Sequence, residues 1–355
     1  MTHPALVRAE AFCAAYDLRL PILQAPMASA CPPSLAIAVG KAGGMGGCGA
    51  LMMAPEGIKA WASEVRAGSN GAFQLNLWIP DPPPVRDAAA ETAVRDFLGD
   101  WGPAVAAEAG DVTMPDFAAQ CAAMLEAGPA VISSIMGVYP PAFVAAMKAR
   151  GVRWFATVTT VREALEAEAA GADAVVAQGM EAGGHRGAFE AGKAETGMVG
   201  LFSLVPAVAD AVKVPVIATG GIADARGVAA ALVLGASAVQ VGTGFLRSPE
   251  AKLPSVLADA IGRSRPEDTM VTRAFSGRAG RSVATAYVRA AADGPVPAPY
   301  PVQRGLTQPM RDAGTRAGDV DRMQAWAGQS SGLAVAEPAE HIVRDLWEGA
   351  RALLG

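Results

Sequence analysis

Cysteine is scarce and unpatterned in this chain of 355 residues: there are only four, Cys13, Cys31, Cys48 and Cys121. None stands in a C-x-x-C spacing or beside a histidine, which argues against a disulfide framework or a zinc site and for free thiols in a reducing compartment. Charged residues make up only 18 % and the net charge is -5, so the basic footprint of a nucleic-acid binder is missing. Long apolar runs are missing too; glycine, proline or a charge interrupts each one well before the roughly 18 residues that a membrane span needs. The first twenty residues hold Arg8, Glu10, Asp17 and Arg19 and no sustained apolar core, unlike a signal peptide. A cytoplasmic protein with no membrane or nucleic-acid partner is expected. Histidine is rarer than cysteine, with His3, His185 and His341 the only three.

What is abundant is apolar residues, at 52 %, and glycine, at 40 residues. Together they suit a large core with tight turns and close helix-on-sheet packing. Short apolar runs alternate with alanine-rich helical stretches, the grammar of a parallel sheet. Strands are expected over 22–25, within 44–49, and over 72–79, 130–135, 153–158, 173–177, 214–218 and 238–241. Helices are expected over 33–42, 55–66, 141–150, 161–170, 198–212 and 225–234, and an eighth, late one over 338–354. Residues 80–130 break the rhythm with three consecutive prolines and two helical segments, over 85–98 and 114–127. Residues 246–336 read as an irregular insertion rich in arginine, glycine and proline. The fold class that follows is α/β, a TIM (β/α)8 barrel with a C-terminal insertion after strand 8 covering the active-site face. Residues 1–245 and 337–355 form the barrel and 246–336 the lid.

One loop stands out, Gln178-Gly179-Met180-Glu181-Ala182-Gly183-Gly184-His185-Arg186-Gly187. Four glycines in ten residues just beyond a strand end let a ligand approach the backbone closely. Glu181 reads as a brace for the loop and Arg186 as a surface charge. His185 is the only histidine placed for chemistry, as a base or as a hydrogen-bond donor to an anion.

Two further turns look like a phosphate cradle. Thr219-Gly220-Gly221-Ile222 and Gln240-Val241-Gly242-Thr243-Gly244 follow strands 7 and 8, where barrels often hold phosphate on backbone N–H groups and a helix N-terminus. The other strand ends offer Ala25, Pro26, Met27, Asn76, Ser133, Ser134, Thr157 and Gln178. These are not metal ligands, and no nucleophile is paired with a base. They suit a flat heterocycle with several hydrogen-bonding edges, such as an isoalloxazine. Asn76 and Gln178 each offer a donor and an acceptor to a pyrimidine edge, and each could equally satisfy backbone at a strand end. No second nucleotide-binding fingerprint is present, which favours FMN over FAD.

The segments PILQAPM, GGMGGCG, QLNLW, QGMEAGGHRG, ATGGIADARGVAAALVLGASAVQVGTGFL and AGQSSGLA, in this order, resemble the nitronate monooxygenase family, formerly called 2-nitropropane dioxygenases. The segment PYPVQRGLTQPMR and the 80–130 excursion are similar to the class acting on propionate 3-nitronate. Bacterial FMN-dependent enoyl-thioester reductases share the EAGGH and GGI…GT elements but not the PYPVQRGLT segment. Relatives often carry an aromatic and a histidine in strand 4, where this chain has Ser134-Ile135-Met136-Gly137. The resemblance implies an FMN-dependent enzyme that oxidises alkyl nitronates with O2 to a carbonyl compound and nitrite. It implies cofactor contacts at Ala25, Pro26, Met27, Asn76, Thr157, Gln178, Gly183, Gly220, Gly221, Gln240, Gly242 and Thr243. His185 would be catalytic, with Tyr300 and Arg304 closing over the substrate. An FMN-dependent NAD(P)H reductase and a non-catalytic flavin- or phosphate-binding barrel are the alternatives, and a monomer or homodimer is expected.

Overall fold

The computed structural model describes residues 3–28, 30–69 and 72–355. Strands β1 (Ile22–Gln24), β2 (Gly46–Gly49), β3 (Phe73–Trp78), β4 (Val131–Ile135), β5 (Arg153–Val158) and β6 (Ala174–Gln178) appear where the apolar runs placed them. After β7 (Gly184–His185), a two-residue strand inside the glycine-rich loop, come β8 (Val216–Thr219) and β9 (Ala238–Val241). Eight of these strands form one parallel sheet in the order β1-β9-β8-β6-β5-β4-β3-β2. A parallel bridge between Leu23 and Met45 joins its two edges and rounds the sheet into a nearly closed barrel. With helices between successive strands, the architecture is a TIM barrel.

Parity along the strands separates two buried layers. Phe73, Leu75 and Leu77 of β3 pack outward against helices, in the layer that also holds Trp154, Val175, Val216 and Val239. Leu23, Val131, Phe155, Val176, Ile217 and Ala238 point inward and fill the barrel axis. The alternation of β3 therefore does not mark a solvent face. Its polar members are buried too, Gln74 as fully as the leucines and Asn76 nearly so, because they point into the barrel. Among the described residues no helix is long and apolar enough to cross a membrane.

Three features depart from the sequence reading. A helix over Pro4–Tyr16, capped by His3, precedes the barrel. It plugs the amino-terminal end, with Tyr16 edge-on to Phe155 at 5.0 Å between ring centroids. Its alternation of alanine with single charges gives only a weak amphipathic signal. The second departure is order in the region after β9. This region carries a helix over Ser255–Arg263, strands β10 (Thr269–Thr272) and β11 (Gly280–Val283), and helices over Ala286–Ala292, Val302–Leu306 and Gln308–Ala317. The third is a second, antiparallel sheet, β10-β11-β7, in which Gly280 pairs with His185. A two-residue strand has no readable period, so that pairing was invisible in the sequence.

Candidate active site

At the carboxyl ends of the barrel strands a cavity of about 420 Å³ opens. All the residues singled out from the sequence as cofactor contacts border it, from Ala25, Pro26 and Met27 through Asn76, Thr157, Gln178 and Gly183 to Gly220, Gly221, Gln240, Gly242 and Thr243. So do His185, Tyr300 and Arg304. Barrel parity explains the convergence: Asn76, Thr157, Gln178 and Gln240 share the inward register of the axial residues below them. Ser133 shares it as well and its hydroxyl accepts from Asn76 Nδ2 at 3.0 Å. Ser134 points the other way, bonded to the Trp154 indole, and does not reach the cavity.

At one end lie the two glycine turns. Gly220 and Gly221 both adopt left-handed backbone, at φ 104° and 68°, which only glycine takes without strain. The backbone N–H groups of Gly220, Gly221 and Thr243 make no hydrogen bond among the described residues. The helix over Ala225–Val233, capped by Asp224, starts just beyond them. Free N–H groups beside a helix N-terminus suit a phosphate. Residues 328–330 tie the two turns together: Gly328 N donates to Thr243 Oγ1 at 3.0 Å and Ser330 Oγ to Gly221 O at 2.6 Å. Gly183 has no room for a side chain, since a Cβ there would lie 2.5 Å from Gly328 N. The AGQSSG stretch therefore clamps the central loop onto the glycine turns, a role its sequence alone did not reveal.

The central loop is braced from within. Glu181 accepts from Leu201 N at the start of the helix over Leu201–Ala211, at 2.9 and 3.1 Å, which is the bracing expected of it. Arg186 is not a surface charge. It is buried, and donates to Gly179 O at 2.7 Å and Gln178 O at 3.2 Å. Five donors on one planar group let it gather carbonyls that a tight turn leaves unpaired. Gln178 serves the backbone too, donating to His185 O at 3.1 Å and accepting from Gly187 N at 2.8 Å. One of its amide protons remains for the cavity.

His185 sits between two indoles, 4.7 Å from Trp78 and 4.8 Å from Trp326. Burial, and then the positive charges of Arg278 and Arg304, push its pKa down to about 3. The imidazole is therefore neutral at any physiological pH. Its Nε2 lies 2.8 Å from Ser276 Oγ, and that hydroxyl donates to Arg278 O at 3.1 Å. A hydroxyl proton given to Arg278 O leaves Nε2 to carry the ring proton and Nδ1 as the acceptor nitrogen, a tautomer assigned from this network. Arg278 is itself buried against Asp81. The Tyr300 ring packs 5.3 Å from Trp78, and burial pushes its phenol up to about 12, so it stays protonated, its hydroxyl resting on the weak acceptor Met114 Sδ at 3.7 Å. The Arg304 guanidinium makes no hydrogen bond or ion pair among the described residues. Trp78, Ile135, Ser276, Arg311, Gln324 and Trp326 complete this end of the cavity. Trp78, Ile135 and Arg311 lie in segments singled out in the sequence, though without a role; Ser276, Gln324 and Trp326 were not singled out, because they come from the long segment after β9, which carries no readable period.

The family model described as nitronate monooxygenase matches residues 10–349. A probable nitronate monooxygenase of Staphylococcus aureus is 35 % identical over 335 residues, covering 93 % of this chain and 94 % of the relative. The structure of a nitroalkane oxidase from Streptomyces ansochromogenes superposes with a TM-score of 0.87 at 36 % identity, covering 96 % of this chain and all of that one. FabK from Thermotoga maritima gives a TM-score of 0.72 at 29 % identity, with 97 % and 96 % covered. The chain belongs to the nitronate monooxygenase family of flavin-dependent oxidoreductases.

Proposed function

We propose that the protein binds FMN non-covalently and oxidises small alkyl nitronates of the propionate 3-nitronate type with O2, giving a carbonyl compound and nitrite. The polarity of the cavity carries this reading: free backbone N–H groups at one end, and the unpartnered Arg304 beside neutral His185 at the other. Between them the strand ends present alternating donors and acceptors. Asn76 gives its Nδ2 to Ser133 and keeps Oδ1, while Gln178 keeps one N–H. That is the complement of a pyrimidine edge, on which carbonyl acceptors flank an N–H donor.

In this reading the glycine turns hold the phosphate and the amides hold the ring. FMN would supply the acceptor for the nitronate's electrons and the donor of electrons to O2. Two nitronate anions and one O2 balance two carbonyls and two nitrite ions. Arg304 and the protonated Tyr300 would hold the substrate anion, and the indoles of Trp78 and Trp326 would exclude water around it. A neutral nitroalkane must first lose its α-proton, and Nδ1 of His185 would take it. The nitroalkane oxidase likeness supports including that second substrate form. Anaerobic mixing of the flavin-loaded protein with propionate 3-nitronate should bleach the flavin. Bleaching by NADPH but not by the nitronate would favour a reductase, and bleaching by neither a non-catalytic barrel.

We also propose that residues 246–336 are a lid and not an independent domain. Their apolar residues pack as much on the rest of the chain as on each other: Phe275, Tyr287, Val302 and Met310 pack with Val94 and Leu98 of the 80–130 excursion, and the small cluster of Leu246, Leu257, Ile261 and Met323 packs against Met27 and Ala30. Expressed alone, the segment is expected to be unfolded by circular dichroism; a cooperative thermal transition would contradict this.

A further inference from the structure

Below the cavity floor lies an amide, that of Gln74, which the reading above does not use. Gln74 of β3 is fully buried and points into the barrel, two residues before Asn76. Its Nε2 donates to the backbone oxygen of Gln24 on β1 at 3.1 Å and to Oε1 of Gln240 on β9 at 2.9 Å. A backbone carbonyl can only accept, so Gln24 O requires Gln74 to present its NH2 group. The second proton of that group then requires Gln240 to turn its oxygen toward Gln74. The NH2 group of Gln240 is left at the cavity wall, with no partner among the described residues.

This order is costly in one place. Gln74 Oε1 is buried and has no hydrogen-bond partner, whereas an apolar side chain at the same point of the axis would leave nothing unsatisfied. A buried amide kept at that cost suits a task in specificity better than one in stability.

We propose that Gln74 is a positioning residue which holds Gln240 as a hydrogen-bond donor toward a carbonyl on the pyrimidine edge of the flavin. The inference rests on the flavin reading and extends it from the cavity wall to the layer beneath. Gln74 touches no ligand; it acts through Gln240, and the backbone of β1 sets its direction.

The test is a double-mutant cycle of Gln74→Met and Gln240→Met. It reads the Kd of the apoprotein for FMN and the two-electron potential of the bound flavin. Each single substitution is expected to weaken FMN binding roughly fivefold to tenfold, as loss of one hydrogen bond does. The double variant should be no weaker than Gln240→Met by more than about twofold. Both single variants should shift the potential to more negative values, because a donor to the ring carbonyl favours the electron-rich reduced form. Losses that multiply in the double variant, or a Gln74→Met protein with unchanged Kd and potential, would overturn the proposal. Should Gln74→Met lose its cooperative melt, Gln240→Glu decides the matter, since carboxylate oxygens cannot donate. It is expected to bind FMN more weakly than Gln240→Met, and wild-type affinity would refute the donor role. Wild-type apoprotein that takes up no FMN would contradict the flavin reading itself, and this inference with it. Multiplying losses in a protein that binds FMN would leave the flavin reading intact.

Discussion

Replacing His185 with asparagine should lower turnover of a neutral nitroalkane on the order of 10²–10⁴-fold, the usual loss when a general base is removed. Asparagine keeps a neutral polar group of similar reach but cannot take up a proton at neutral pH. In the tautomer assigned from the Ser276–Arg278 network, Nε2–H is given to Ser276 and Nδ1 is the acceptor nitrogen of the wild-type ring. A base with a pKa near 3 is weak in the resting protein. It gains strength as the reaction proceeds, since the anion formed beside it favours the imidazolium, while Arg304 and Arg278 stabilise the anion. A preformed nitronate has no proton to lose. Its turnover in the variant should fall much less, because anion binding is assigned to Arg304 and Tyr300. The sign of the pH effect follows from the same shift. Burial lowers the pKa of His185 below its ordinary value of 6.5, so the free enzyme keeps its base unprotonated as pH falls through 6.5. The wild-type kcat/KM for a neutral nitroalkane should therefore show no inflection there. Equal activity of variant and wild type on both substrate forms would remove His185 from the chemistry.

Gly220→Asp should abolish flavin retention, and the purified protein should be colourless. Two effects act together at this position. Gly220 has φ 104°, and a Cβ would lie 2.9 Å from Ala182 N and 3.0 Å from Ala182 Cβ. Left-handed backbone in a non-glycine residue costs about 1–3 kcal/mol. The carboxylate would also face the phosphate proposed for this turn; like charges about 4 Å apart repel by about 4 kcal/mol at an effective dielectric of about 20. That is close to a thousandfold in affinity. Gly220→Ala separates the two effects, since it keeps the strain and omits the charge. It should melt at a temperature close to that of the aspartate variant yet retain part of its FMN. Full flavin content in Gly220→Asp would place the phosphate elsewhere.

How much of this was legible in the sequence depends on the period of each element. The helix over Pro33–Ala42 and the strands over Arg153–Val158 and Ala238–Val241 have the bounds that proline, glycine and apolar runs indicated. The strand-end residues were legible because a barrel fixes where every strand ends and which parity faces inward. Arg186 was misread because charge normally marks a surface; here a ten-residue turn leaves carbonyls that need a buried cation's donors. Ser276 and Trp326 were invisible because they reach His185 from 91 and 141 positions along the chain, through a sheet completed by a two-residue strand. The Gln74–Gln240 bond spans β3 and β9, and no local pattern encodes a pairing across a barrel axis.

The central claim is FMN-dependent oxidation of a nitronate by O2, and its most direct test is oxygen uptake with nitrite release in the absence of NAD(P)H. Propionate 3-nitronate added to aerated, FMN-loaded protein is expected to consume O2 and release nitrite over many turnovers per flavin. Heat denaturation of the same sample should release FMN. A yellow protein that consumes no O2 with any nitronate, yet turns over an electron acceptor once NADPH is supplied, would contradict the account.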